Sequence, residues 1–112
     1  MDILNWSKEV PFAITVCDRD GIVLEMNEKS AITFASNGGK ELVGTSLLDC
    51  HSEKSRTQIL GMLATAASNV YTIEKNGIKK LIYQCPWYQN GELGGLVELS
   101  IEIPNEMPHF IR

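Results

Sequence analysis

Pro11-Phe-Ala-Ile-Thr-Val-Cys-Asp-Arg-Asp-Gly-Ile-Val-Leu-Glu-Met-Asn27 encodes a strand, a tight turn, a second strand and a helix cap in direct succession. Phe12, Ile14 and Val16 alternate with Ala13, Thr15 and Cys17, the period of a strand buried mainly on one face, and this places Ile14 and Val16 in the expected core. Asp18-Arg-Asp-Gly21 supplies the turn, with Gly21 free to take a positive φ and Asp20 able to bond its own backbone. Ile22 to Met26 returns as a strand, and Asn27 is placed to accept the free N–H groups of a helix carrying Ala31, Phe34 and Ala35.

Downstream, Ser36-Asn-Gly-Gly39 interrupts the pattern and Lys40-Glu-Leu-Val-Gly44 reads as a short helical turn. Ser55 to Ser68 is expected to form a helix, with Ser55 and Gln58 as a capping box and Ile59, Met62, Leu63, Ala66 and Ala67 on one face. From Asn69 onward the period changes to two. Val70 to Lys75 is a strand, Asn76-Gly77 is a hairpin turn, Ile78 to Tyr88 returns, Gln89-Asn-Gly-Glu92 turns again, and Leu93 to Ile103 closes the series with Val97, Leu99, Ile101 and Ile103 on one face. Pro86 lacks a ladder donor and implies a bulge or an edge. Strands joined by such short turns are antiparallel, and their apolar face requires the intervening helices as cover, an α+β arrangement.

The order of elements, the D-x-D-G turn followed by Asn27, and the later Asn-Gly turns resemble a PAS domain over residues 11–103, with residues 1–10 as a leader helix and 104–112 as a tail. The resemblance implies one five-stranded antiparallel sheet, the first strand central beside the last, and helices from the middle of the chain on one face. It also implies a sensory or regulatory module of signal transduction, without catalysis, holding a small ligand between sheet and helices or engaging a protein partner.

On that resemblance the candidate ligand-binding residues are Phe34, Cys50, His51, Met62 and Tyr83. Haem-binding members take a His from the helical middle, and His51 is the candidate for such a ligand here. Flavin photosensors carry a reactive Cys in a Gly-x-Asn-Cys-Arg-Phe-Leu-Gln run. In Gly44-Thr-Ser-Leu-Leu-Asp-Cys-His51 that place belongs to Leu47, which argues against a flavin photoadduct. Cys50 beside His51 does not make a metal site, because a closed site wants four ligands and adjacent side chains point apart. In the strand Leu81-Ile-Tyr-Gln-Cys-Pro-Trp-Tyr88, Tyr83 and Gln84 are polar groups that, if buried, need a partner which a ligand can supply. Two other readings remain open: a small α+β enzyme using Asp49, Cys50 and His51, and a purely structural homodimerisation module.

The 112 residues make one domain with a single core. Hydrophobic residues are 44% and charged residues 21%, ordinary for a globular chain, and 14 acidic against 10 basic residues give a net charge of −4, which argues against a nucleic-acid partner. No segment has the length and apolarity of a membrane span, and the N-terminus lacks signal-peptide character. With Cys17, Cys50 and Cys85 suited to a reducing compartment, a cytoplasmic location is expected. Apolar residues on both faces of several strands point to a homodimer. The end of the sheet reads Ser100-Ile-Glu-Ile-Pro104, without the Asp-Ile-Thr junction common in PAS receptors, and the expectation is a stand-alone sensor acting through a separate effector protein.

Overall fold

The computed structural model describes residues 4–49 and 51–112. Its sheet is built from five strands, β1 (Ala13–Asp18), β2 (Val23–Met26), β3 (Asn69–Lys75), β4 (Ile78–Gln89) and β5 (Glu92–Ile103). All neighbours are antiparallel and the order is β2-β1-β5-β4-β3, so β1 and β5, far apart in sequence, lie side by side at the centre. Between β2 and β3 come helix α1 (Glu28–Thr33), three 3-10 turns (Ala35–Asn37, Gly39–Leu42, Leu47–Asp49) and helix α2 (Glu53–Thr65).

The hairpins form because their turn residues supply the backbone angles they need. Asn76 and Gly77 take φ of 53° and 77°, and Asn90 and Gly91 take 53° and 81°, both residues positive as a type I′ turn demands. In the first hairpin Asp18, rather than Asp20, does the shaping. Its Oδ1 accepts from the backbone N–H of Asp20 and of Ile22, while Gly21 N–H donates to the Asp18 carbonyl. Pro86 is tolerated because β3 pairs with β4 only as far as Gln84, so β4 is an edge there, and the register slips at Trp87/Tyr88.

Cys17, Met62, Leu63 and Leu96 form the core cluster, with Leu47 and Ile59 packed against it. The inner face of β1 is therefore Ala13, Thr15 and Cys17. Ile14 is buried, as expected of a core residue, whereas Val16 is only half-buried; by alternation both lie on the face opposite Thr15 and Cys17. Two local expectations also change. Residues 4–10 form turns and bends rather than a leader helix, because Asn27 Nδ2 and Glu28 N–H reach out to the Ser7 and Lys8 carbonyls and hold the segment irregular. Helix α2 begins earlier than Ser55: Ser52 is its cap, accepting from Ser55 N–H at 3.3 Å, and Ala66 ends it in the left-handed region.

The junction of β5 with β1 is unusually close. A Cβ on Gly95 would stand 2.0 Å from the Cys17 carbonyl oxygen, and one on Gly94 would overlap the Trp87 ring. Only glycine permits that approach. Trp87 lies across it and donates its indole N–H to the Cys17 carbonyl at 2.9 Å, joining β4 to β1 over the intervening strand.

Candidate functional site

A cavity of about 530 Å³ opens between the inner face of the sheet and the helical middle of the chain. Strand alternation decides which side chains reach it: Thr15 and Cys17 from β1, Asn69 and Tyr71 from β3, Ile82 and Gln84 from β4, Leu96 and Glu98 from β5. The opposite wall includes Phe34, Leu47, His51, Ile59 and Met62. Most of the lining is apolar, and the polar groups are concentrated on the sheet.

Cross-strand register explains that concentration. Thr15 is opposite Glu98, Glu98 opposite Gln84, and Gln84 opposite Asn69, so four polar side chains form one row across β1, β5, β4 and β3. Gln84 Nε2 donates to Glu98 Oε2 at 2.6 Å, and Asn69 Nδ2 donates to Gln84 Oε1 at 3.1 Å. At the β1 end Thr15 Oγ1 and Ser30 Oγ share a hydrogen bond of 2.5 Å, Ser30 being 0% exposed. Tyr71 stands beside the row. Partial burial, reinforced by the Glu98 charge, raises its phenol pKa above the ordinary value, while a hydrogen bond with Gln84 pulls the other way.

Among the residues expected to bind ligand, Phe34, His51 and Met62 line the cavity. Met62 is buried, Phe34 half-buried and His51 exposed at the mouth. Tyr83 does not line it: β4 alternation turns Tyr83 to the outer face, 41% exposed, and brings Gln84 inward. Cys50 lies outside the described residues. His51 Nδ1–H donates to the Leu47 carbonyl at 2.5 Å, so in the neutral ring Nε2 is the nitrogen that carries the lone pair. Leu47, at the place of the reactive Cys in flavin photosensors, is on the wall and offers only methyl groups. Asp49 is exposed, and among the described residues no group of three His, Cys, Asp or Glu side chains is placed to hold a metal ion.

Glu98, Asn69, Tyr71 and Thr15 were not singled out by the sequence. The one signal was Leu96-Val-Glu-Leu-Ser100, a single charge in an otherwise apolar central strand, on the parity opposite Val97 and Leu99.

No protein-family model matches the sequence, and no curated protein is significantly similar to it. Solved structures do match. The Aer2 receptor from Vibrio cholerae, described as a dual PAS-heme oxygen sensor, is similar with a TM-score of 0.61 at 15% identity, over 83% of this chain and 95% of that one. The PAS domain of an HTR-like protein from Haloarcula marismortui gives 0.57 at 18% identity, over 86% and 84%. The chain has the PAS fold. A third match, the VqmA dimer of Vibrio cholerae, gives 0.65 at 11% identity over 88% of this chain and 48% of that one. In PAS terms, the expected α+β architecture, central first strand and helices on one face are all present.

Proposed function

We propose that this chain is a non-catalytic PAS sensory module that takes a small molecule into the cavity between sheet and helices. The observation that carries the reading is the cavity itself: about 530 Å³, largely apolar, with polar side chains brought to it by four strands. A packed structural module would fill that space with side chains. The outer face of the same sheet carries Val16, Leu81, Cys85, Leu99 and Ile101, with Val70 and Tyr83 exposed at 50% and 41%. That face suits a second copy of the chain, and through it the state of the cavity reaches a separate effector in the cytoplasm. No helix among the described residues is long and apolar enough to cross a membrane.

The test is native mass spectrometry with an absorption spectrum of freshly purified protein. A bound small mass supports the sensor, and an empty protein that takes up no small molecule in a binding screen counts against it. Light scattering coupled to size-exclusion chromatography checks the dimer, and monomeric elution would remove it.

One observation favours a second reading, in which the ligand is haem. The Nδ1–H bond to the Leu47 carbonyl holds His51 in the tautomer that an iron ligand requires, at the cavity wall. His51 would hold the iron and the apolar side chains of the wall would enclose the macrocycle, which would supply gas- or redox-sensing chemistry when bound. Haem reconstitution without a Soret shift relative to free haem ends this reading.

A further inference from the structure

The polar row has a direction, and the direction specifies what it can read. A carboxylate can only accept, so Gln84 must turn its NH2 toward Glu98 Oε2. Its carbonyl oxygen is then the end that faces Asn69, and Asn69 must donate to it. The amides thus point in one sense along the row, each with one N–H committed, and the row terminates in an acceptor. An ionised carboxylate offers about four lone-pair sites. Gln84 occupies one site on Oε2, and the Glu98 side chain lines the cavity. Thr15, the neighbour of Glu98 on the β1 side, is already engaged by Ser30. Unused capacity at Glu98 is therefore acceptor capacity, flanked by the apolar Ile82 and Leu96.

Resting on the ligand-binding reading above, we propose that Glu98 selects the ligand class: a compact, largely apolar molecule that presents an N–H or O–H donor, with Gln84 and Asn69 as positioning residues that fix the carboxylate. A donor aimed at Glu98 makes a charge-assisted hydrogen bond in a half-desolvated setting. A carboxylate or phosphate ligand meets like charge there instead. An ether or thioether isostere leaves the carboxylate desolvated and unpaired.

The test uses indole and benzofuran, two bicycles of nearly equal size that differ by N–H against O, titrated into the full chain and followed by amide NMR shifts. Indole is expected to bind at least about tenfold more tightly, the range of a hydrogen bond to a charged group. In Glu98→Gln, the new amide gives its oxygen to Gln84 and its NH2 to the cavity, so the preference should collapse to within about twofold or reverse. Gln84→Leu, which leaves Glu98 in place but unanchored, should reduce the preference without abolishing indole binding. Equal binding of the two probes to the unaltered chain overturns the donor rule while leaving the ligand-binding reading standing. A preference for indole that survives Glu98→Gln unchanged removes Glu98 from the role. Binding of neither probe at millimolar concentration defeats both the rule and the cavity reading on which it rests.

Discussion

Two polar networks sit in this small domain, and they differ in whether they are closed. At the corner where β2 enters α1, Asn27 is 5% exposed and uses all of its amide. Its Oδ1 accepts from Ile14 N–H and Ser30 N–H, and its Nδ2 donates to the Ser7 and Phe12 carbonyls, each at 2.9 Å. Three other stretches of chain, at Ser7, at Phe12 to Ile14 and at Ser30, are tied by one side chain with nothing left over. Across the inner sheet face, the Asn69–Gln84–Glu98 row is just as directional but ends in a half-buried carboxylate with sites to spare. A buried polar group is tolerated when it is satisfied, so a closed network stabilises and an open one waits for a partner. The first is architecture and the second is the place to look for function.

Substitutions should separate the two. Asn27→Ala strands two buried N–H groups and two carbonyls, and a loss of about 3 kcal/mol in denaturant unfolding is expected. A loss below about 1 kcal/mol would mean that water replaces the amide and the corner is not closed. Thr15→Val should cost about 1–2 kcal/mol, because it leaves the Ser30 hydroxyl buried without a partner. If the double variant Thr15→Val/Ser30→Ala recovers most of that, the cost belongs to the stranded hydroxyl.

A smaller effect is tied to pH. Burial, with a lesser push from the Asp18 charge, raises the Cys17 thiol above its ordinary 9.0, while a backbone hydrogen bond involving Leu96 opposes the shift. The unfolded thiol then loses its proton before the folded one. This contribution to stability is complete below about pH 9 and is lost as pH climbs through the folded value. The unfolding midpoint of the unaltered chain should therefore fall more between about pH 7 and pH 10 than that of Cys17→Ala, and parallel declines would contradict it. Smallest of all, Glu98→Gln should change stability by no more than about 0.5 kcal/mol, since the row keeps its connection through the new amide. A large loss there would make the row structural after all and erase the contrast with Asn27.

Much of the fold was legible because it rests on local chemistry. The Asp18 to Gly21 turn, the two Asn-Gly turns and the Asn27 cap are each set by residues within a few positions of one another, and all are present, the first shaped by Asp18 in place of Asp20. The site was less legible. Phe34, His51 and Met62 reached the cavity, but Tyr83 was placed there on the reasoning that a buried hydroxyl needs a partner, and its neighbour Gln84 took that face. A strand whose two faces are both partly apolar carries no sign of which one meets the helices.

The sequence by itself determined the order of elements, the turns that make neighbouring strands antiparallel, and the cap that starts α1, because φ preferences and side-chain-to-backbone bonds act over a few residues. Only the tertiary structure decided that Thr15, Glu98, Gln84 and Asn69 stand in one row. That alignment depends on the register of β1 against β5 and of β5 against β4. The central register is held by the close approach at Gly95 and by the Trp87 bond to the Cys17 carbonyl, contacts between residues that no local pattern relates.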